Sequence, residues 1–231
     1  MREIVLDTET TGLDPATGDR IVEIGAIELF NHMPTGKSFH HYLNPNRLMP
    51  KEAFEVHGLS DAFLRDKPRF PAIAPAFLAF IGDATLVIHN APFDMKFLNH
   101  ELTTAGHAAL PMSRAFDTVA LARQKFPGSP ASLDALCRRF AIDTSARTKH
   151  GALLDSEILA EVYLELIGGR QPDLILAPGA AQSSQSDTKD PSWRPTPRPT
   201  PLPSRLTAAE AAAHDGFVAK IGGAVLWSKR G

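Results

Sequence analysis

Ile4-Val5-Leu6-Asp7-Thr8-Glu9-Thr10-Thr11-Gly12 carries an apolar strand directly into a pair of carboxylates. Ile4-Val5-Leu6 is short and fully apolar, the pattern of a strand covered on both faces. Side chains at i and i+2 leave a strand on one side, so Asp7 and Glu9, which close this strand, share a site. Like charges so placed repel and raise each other's pKa unless a cation lies between them. A lone pair of this kind is more often simply solvated, so its meaning depends on the residues that join it.

Outward from this stretch, Ile21–Leu29 is a second, alternating β-branched strand and Ser38–Leu43 a third, with connections short enough for an antiparallel meander. Phe70–Gly82 reads as a helix and Thr85–His89 as a buried strand. Asn90 then caps a helix of about 15 residues that ends near Gly106. Phe116-Asp117 ends another short strand, and helices follow at about Thr118–Phe126, Ser132–Phe140 and Ala152–Ile167. Strands first and strand–helix alternation later predict an α/β fold, a mixed sheet with helices on both faces.

The chain has 231 residues, 43% of them hydrophobic, enough for one domain with something left over. Composition divides it into a domain over 1–168, a Pro-rich linker over 169–204 and a tail over 205–231. The linker holds eight of the 19 prolines and the polar run Gln182–Asp187, so it is expected to be extended and disordered. The single cysteine, Cys137, reads as a small buried thiol on a helix, which suits a reducing cytosol. No signal peptide and no membrane span is visible, so a soluble cytoplasmic protein is expected. A net charge of −2 would be odd for an enzyme of nucleic acid, so either the substrate is of another kind or bound metal ions and a partner protein supply the positive charge.

Three further residues join the acidic pair. Asp94 lies in His89-Asn90-Ala91-Pro92-Phe93-Asp94, where a strand gives way to a helix, the end of a sheet at which α/β proteins place ligands. Asp155 sits in the last helix of the domain. His150 is five residues earlier, a rotation of about 140° if both were helical, so it must lie in the preceding loop to reach the same site. Each residue alone has a bland reading: a helix-dipole carboxylate for Asp94, a solvated loop histidine for His150.

Taken together, D-x-E, H-N-A-x-F-D and H-x-x-x-x-D resemble the DEDDh group of 3′–5′ exonucleases, which are built on a ribonuclease H-like fold. Asp7–Gly12, Ile24-Gly25-Ala26, Val56-His57-Gly58, His89-Asn90, Ser132–Cys137 and His150–Asp155 are similar, in order, to the proofreading epsilon chains of bacterial DNA polymerase III. The resemblance implies catalytic residues Asp7, Glu9, Asp94, His150 and Asp155. It implies two Mg²⁺ or Mn²⁺ ions bridged by Asp7, with Glu9 and Asp155 completing the ligands of the first, Asp94 acting partly through water and His150 as general base. Hard oxygen ligands suit such ions. The substrate, a DNA 3′ end, would be met by Asp7, Glu9, Glu52, His57 and Asp155.

The same resemblance assigns partners to the rest of the chain. The tail, with a short helix over Ala208–Lys220 and Val225-Leu226-Trp227 as an anchor, would dock on the DNA polymerase III alpha subunit. Gln171-Pro172-Asp173-Leu174-Ile175-Leu176 looks like a peptide that binds the sliding clamp weakly, with Gln171, Leu174 and Leu176 as its contacts. An RNA-trimming exonuclease would share the catalytic set but has no evident use for linker and tail. A non-catalytic tether has no need of all five chemical positions.

Overall fold

Five strands form one mixed sheet in the order β3-β2-β1-β4-β5. Strand β1 (Arg2–Thr10) pairs antiparallel with β2 (Ile21–Phe30), which pairs antiparallel with β3 (Met33–Tyr42); β4 (Thr85–Ile88) and β5 (Ala115–Asp117) run parallel to β1. In this computed structural model the described residues are 1–145, 147, 149–169 and 206–221. The chain divides into two units, Met1–Ile175 and Leu176–Gly231.

Alternation along the strands feeds two cores. Ile4 and Leu6 of β1, Ile24 and Ala26 of β2, and Leu86 and Ile88 of β4 face α3 (Phe70–Ile81) and α4 (Ala91–Thr104), against Phe77, Ile81, Phe97 and Leu98. Val5, Ile27, Leu29 and Val87 face the opposite way, against Leu159, Ala160 and Tyr163 of α7 (Ala152–Leu166). A third cluster joins α7 to α5 (Thr118–Lys125) and α6 (Leu133–Phe140), and Cys137 is buried there as expected. The mixed sheet with helices on both faces is therefore present.

Some boundaries differ from the sequence reading. Strand β1 continues through Asp7-Thr8-Glu9 to Thr10 instead of closing on them, because β2 stays paired alongside. Asn90 stands at the start of α4 in the left-handed region (φ 70°), and its side chain makes no capping bond; its N–H donates to Asp117 Oδ1 at 3.1 Å. Two short helices, α1 (Lys51–His57) and α2 (Asp61–Leu64), were not anticipated. Helix α1 has no side-chain cap at Pro50 and leaves Phe54 and Val56 exposed, so it carries neither a start signal nor an amphipathic period.

Helix α7 is tied to the sheet near both ends. Tyr163 Oη donates to the buried Glu3 Oε1 of β1 at 2.6 Å, and Ser156 Oγ donates to Gly25 O of β2 at 2.9 Å. At Gly25 the first turn of α7 comes so close that a Cβ would stand 2.2 Å from the backbone of Ala152 and Leu153. Gly25 is also the cross-strand partner of Asp7. This glycine sets how near α7 can bring its own residues to the acidic strand.

In the second unit, α8 (Ala208–Ile221) begins at a reciprocal capping box, with Glu210 N–H donating to Thr207 Oγ1 and Thr207 N–H to Glu210 Oε2. Phe217 and Ile221 are exposed on it. Among the described residues no helix is long and apolar enough to cross a membrane.

Gly25→Ala should destabilise the first unit by about 1–3 kcal/mol or more in chemical denaturation, because backbone must move to admit the methyl group. Gly151→Ala, where a Cβ meets nothing within 4 Å, should cost clearly less. Equal effects would show that the approach of α7 to β2 is not the constraint.

Candidate active site

Strand β1 outruns its neighbour. Its pairing with β4 stops at Leu6↔Ile88, while the strand continues to Thr10, so Asp7 to Thr10 extend past the end of β4. A cleft of about 260 Å³ forms there, and its lining includes Asp7, Thr8, Glu9, Asp94, His150 and Asp155. All five residues expected to carry the chemistry are thus brought to one place. They arrive from both sides of the sheet: Asp155 from the first turn of α7, Asp94 from the first turn of α4.

Thr8 supports the second of these. Its side chain leaves β1 on the side opposite Asp7 and Glu9, and its Oγ1 donates to Asp94 Oδ1 at 2.7 Å in a buried hydrogen bond. Asp94 is 2% exposed, so this bond fixes the carboxyl that α4 presents to the cleft.

The electrostatics are strained. Burial pushes Asp7 well above the usual carboxylate range, and the charges of Asp94, Glu9 and Asp155 push it further. Burial and then Asp155 raise Glu9 to about 8. Asp94 is raised to about 7 by burial, against the lowering effect of the Thr8 hydrogen bond. Protein groups alone do not let these carboxyls all ionise at neutral pH. A divalent cation removes that penalty, and a set of carboxylate oxygens is what a hard ion of the Mg²⁺ or Mn²⁺ kind prefers. Ligand atoms of Glu9, His150 and Asp155 already lie within 4.8 Å of one another. Asp7 is outside that trio, although its carboxyl feels the same charges.

His150 lies in the loop before α7, next to the N-cap Gly151, as its spacing from Asp155 required. Its backbone N–H donates to Val56 O at the end of α1, and its Nδ1 is 3.3 Å from Asp155 Oδ2. The sequence reading did not anticipate Arg147. Its Nε donates to Asp155 Oδ1 at 2.5 Å and its Nη2 to Oδ2 at 2.7 Å, with a further bond from Nη1 to Asp134. Asp134, on the first turn of α6, also lines the cleft. The signal that could have found Arg147 was the charge balance: buried carboxylates require a cation, and an arginine stands three residues before His150.

A second depression, about 510 Å³, opens beside the first and shares Thr8, Glu9 and Phe93 with it. Glu52 and His57 of α1 line it, so the two residues expected to contact substrate from outside the acidic cluster lie next to the cleft. Burial lowers the pKa of His57, and its Nδ1 accepts from Leu59 N–H at 3.1 Å. Gln171, Leu174 and Leu176 of the clamp-like peptide, and the Val225-Leu226-Trp227 anchor, lie outside the described residues.

Residues 4–163 match the sequence family described as Exonuclease. The DNA polymerase III subunit epsilon of Rickettsia felis is 60% identical over 174 residues, covering 74% of this chain and 76% of that protein. The subunit epsilon of Escherichia coli K12 is 44% identical over 238 residues, covering 98% and 97%. Among solved structures, exonuclease X in complex with 5′ overhanging duplex DNA is 26% identical with a TM-score of 0.58, covering 71% of this chain and 90% of that one. The nuclease domain of 3′hExo, a DEDDh family member bound to rAMP, shares the fold with a TM-score of 0.63 at 18% identity, covering 72% and 91%. The chain belongs to the Exonuclease family and, within it, to the DNA polymerase III epsilon subunits.

Proposed function

We propose that the cleft at the end of β1 is where this chain, a 3′–5′ proofreading exonuclease, hydrolyses the terminal phosphodiester of DNA, with Asp7, Glu9, Asp94, His150 and Asp155 as its catalytic residues. The single observation that carries this reading is the convergence of four acids and a histidine, from β1, α4, α7 and its preceding loop, on one cleft. Metal dependence is general in the DEDDh exonucleases, and the donor set fits it. Asp7, Glu9 and Asp155 would hold two Mg²⁺ or Mn²⁺ ions, which when bound neutralise the carboxylates and activate water against phosphorus.

The chain's own groups supply the rest. His150, half exposed on its loop, accepts the proton of the attacking water at a ring nitrogen. Thr8 keeps Asp94 oriented toward the cleft. Glu52 and His57 line the adjoining depression, where the terminal nucleotide would sit. A mispaired end costs less to unstack and so reaches this site more readily.

Beyond the nuclease domain, taken as 1–168, the tail over 205–231 docks on the polymerase alpha subunit. The linker over 169–204 carries a weak clamp-binding peptide through Gln171, Leu174 and Leu176. Support for the tail comes from the exposed Phe217 and Ile221 on α8 and from the subunit epsilon of Escherichia coli, which matches over 98% of this chain, linker and tail included. Deleting residues 205–231 should spare digestion of free DNA and abolish co-purification with the alpha subunit. Alanine at Gln171, Leu174 and Leu176 should weaken clamp binding without changing that digestion. Persistence of either association places the contact on the nuclease domain.

Asp7→Ala and Asp155→Ala should abolish Mg²⁺-dependent digestion of single-stranded DNA, while His150→Ala lowers the rate by about 10²–10⁴. Near-normal digestion by either aspartate variant would refute the site.

The raised pKa values also fix a pH dependence. Glu9 at about 8 and Asp94 at about 7 bind protons in the folded chain that the unfolded chain has already released. The folded state is therefore favoured at low pH, and its advantage is lost as pH rises through those values. In EDTA the melting temperature should fall between about pH 5 and 9, less so in Glu9→Gln, and saturating Mg²⁺ should flatten the profile. A flat profile in EDTA would contradict the assigned electrostatics.

A further inference from the structure

Arg147 does more than neutralise. Its side chain is 10% exposed and engages both oxygens of Asp155 in a bidentate pair, with a third contact to Asp134. A carboxylate held in this way has its best lone pairs committed to the guanidinium fork. The same Nη2 donates to His150 Nδ1 at 2.8 Å. A guanidinium can only donate, so this bond requires an unprotonated Nδ1 and, in the neutral ring, the proton on Nε2, even though Asp155 Oδ2 also lies 3.3 Å from Nδ1. In that tautomer Nε2 has no lone pair with which to take a proton from water. One side chain thus occupies a metal ligand and holds the base in its unreactive form.

We propose that Arg147 is the displaceable place-holder of the metal: it closes the site in the ion-free protein, and a divalent ion reaching Asp155 releases both Asp155 and His150 from it. The loop position suits this. Arg147 belongs to neither α6 nor α7, so it leaves without disturbing a helix, whereas Asp155 is fixed on α7. Within the cleft the released guanidinium stays close to where the phosphate of the DNA end is handled, and anion contact is the interaction its fork favours. Arg147 is in this sense a positioning residue, acting through Asp155 and His150. The inference rests on reading Asp155 as a metal ligand.

Two readouts test it on the full chain without DNA. Electron paramagnetic resonance gives Mn²⁺ affinity for the wild type, Arg147→Gln, Arg147→Lys and Asp155→Asn. Arg147→Gln should bind Mn²⁺ about tenfold tighter, and Arg147→Lys, which keeps the charge but loses the fork, about threefold tighter. Wild-type affinity in Arg147→Lys beside tighter binding in Arg147→Gln would mean that only net charge matters, and would overturn the place-holder. Unchanged or weaker binding in both variants would overturn it too. A wild type whose binding Asp155→Asn does not weaken would refute the site itself, a separate failure. Nitrogen-15 NMR of His150 supplies the second readout: the Nε2–H tautomer in ion-free wild type, altered by Mg²⁺ and by Arg147→Gln. A tautomer indifferent to both would contradict the proposal.

Discussion

Repulsion among buried carboxylates at the end of β1 is the constraint around which this nuclease unit is arranged. Burial raises the proton affinity of Asp7, Glu9 and Asp94, and the charges of neighbouring carboxylates raise that of Asp7 and Glu9 further. Water is the cheapest relief for such charges, and the fold denies it. Confinement of this kind lowers stability, which is what a cluster kept for function, and not for holding the chain together, would show. A bound divalent cation would convert the same repulsion into affinity.

Each structural feature near the cleft can be read as a means of holding those charges in place. β4 ends at the level of Leu6, which frees the last residues of β1. Helices approach from opposite faces, so Asp94 and Asp155 reach the acidic strand without competing for one surface. Gly25 admits the first turn of α7, and Ser156 and Tyr163 fasten that helix to β2 and β1. Arg147 offsets part of the charge from a loop, where it can be exchanged for an ion.

Much of this was legible in the sequence. The alternation in Ile21–Leu29, the apolar Ile4–Leu6 and the strand–helix passage at His89–Asp94 determine the sheet and where its acids fall. Strand periodicity, the strand–helix passage at Asp94 and the rotation that keeps His150 off the helix bearing Asp155 allow the five chemical residues to share a site, while their chemical roles came from the resemblance to the DEDDh exonucleases. What was not legible depends on contacts distant in sequence. Helix α1 lacks an amphipathic period, because Phe54 and Val56 are exposed and not packed in a core, Val56 lining the depression beside the cleft. The left-handed Asn90 answers to Asp117, twenty-seven residues away. Arg147 looks like an ordinary loop arginine until Asp155, Asp134 and His150 surround it, and the hydrogen bond of Thr8 requires knowing which turn of α4 faces β1.

The net charge of −2 fits a site whose positive charge would come from divalent ions held at the cleft, together with Arg147. The acids at the end of β1 are proposed to bind divalent ions at which a phosphodiester is cut. Anomalous X-ray diffraction from crystals grown with Mn²⁺ and a nucleoside 5′-monophosphate tests it most directly. Anomalous density should stand against Asp7, Glu9 and Asp155, with the nucleotide phosphate beside it and the Arg147 fork withdrawn from Asp155. A cleft without Mn²⁺, with Arg147 still holding both oxygens of Asp155, would contradict it.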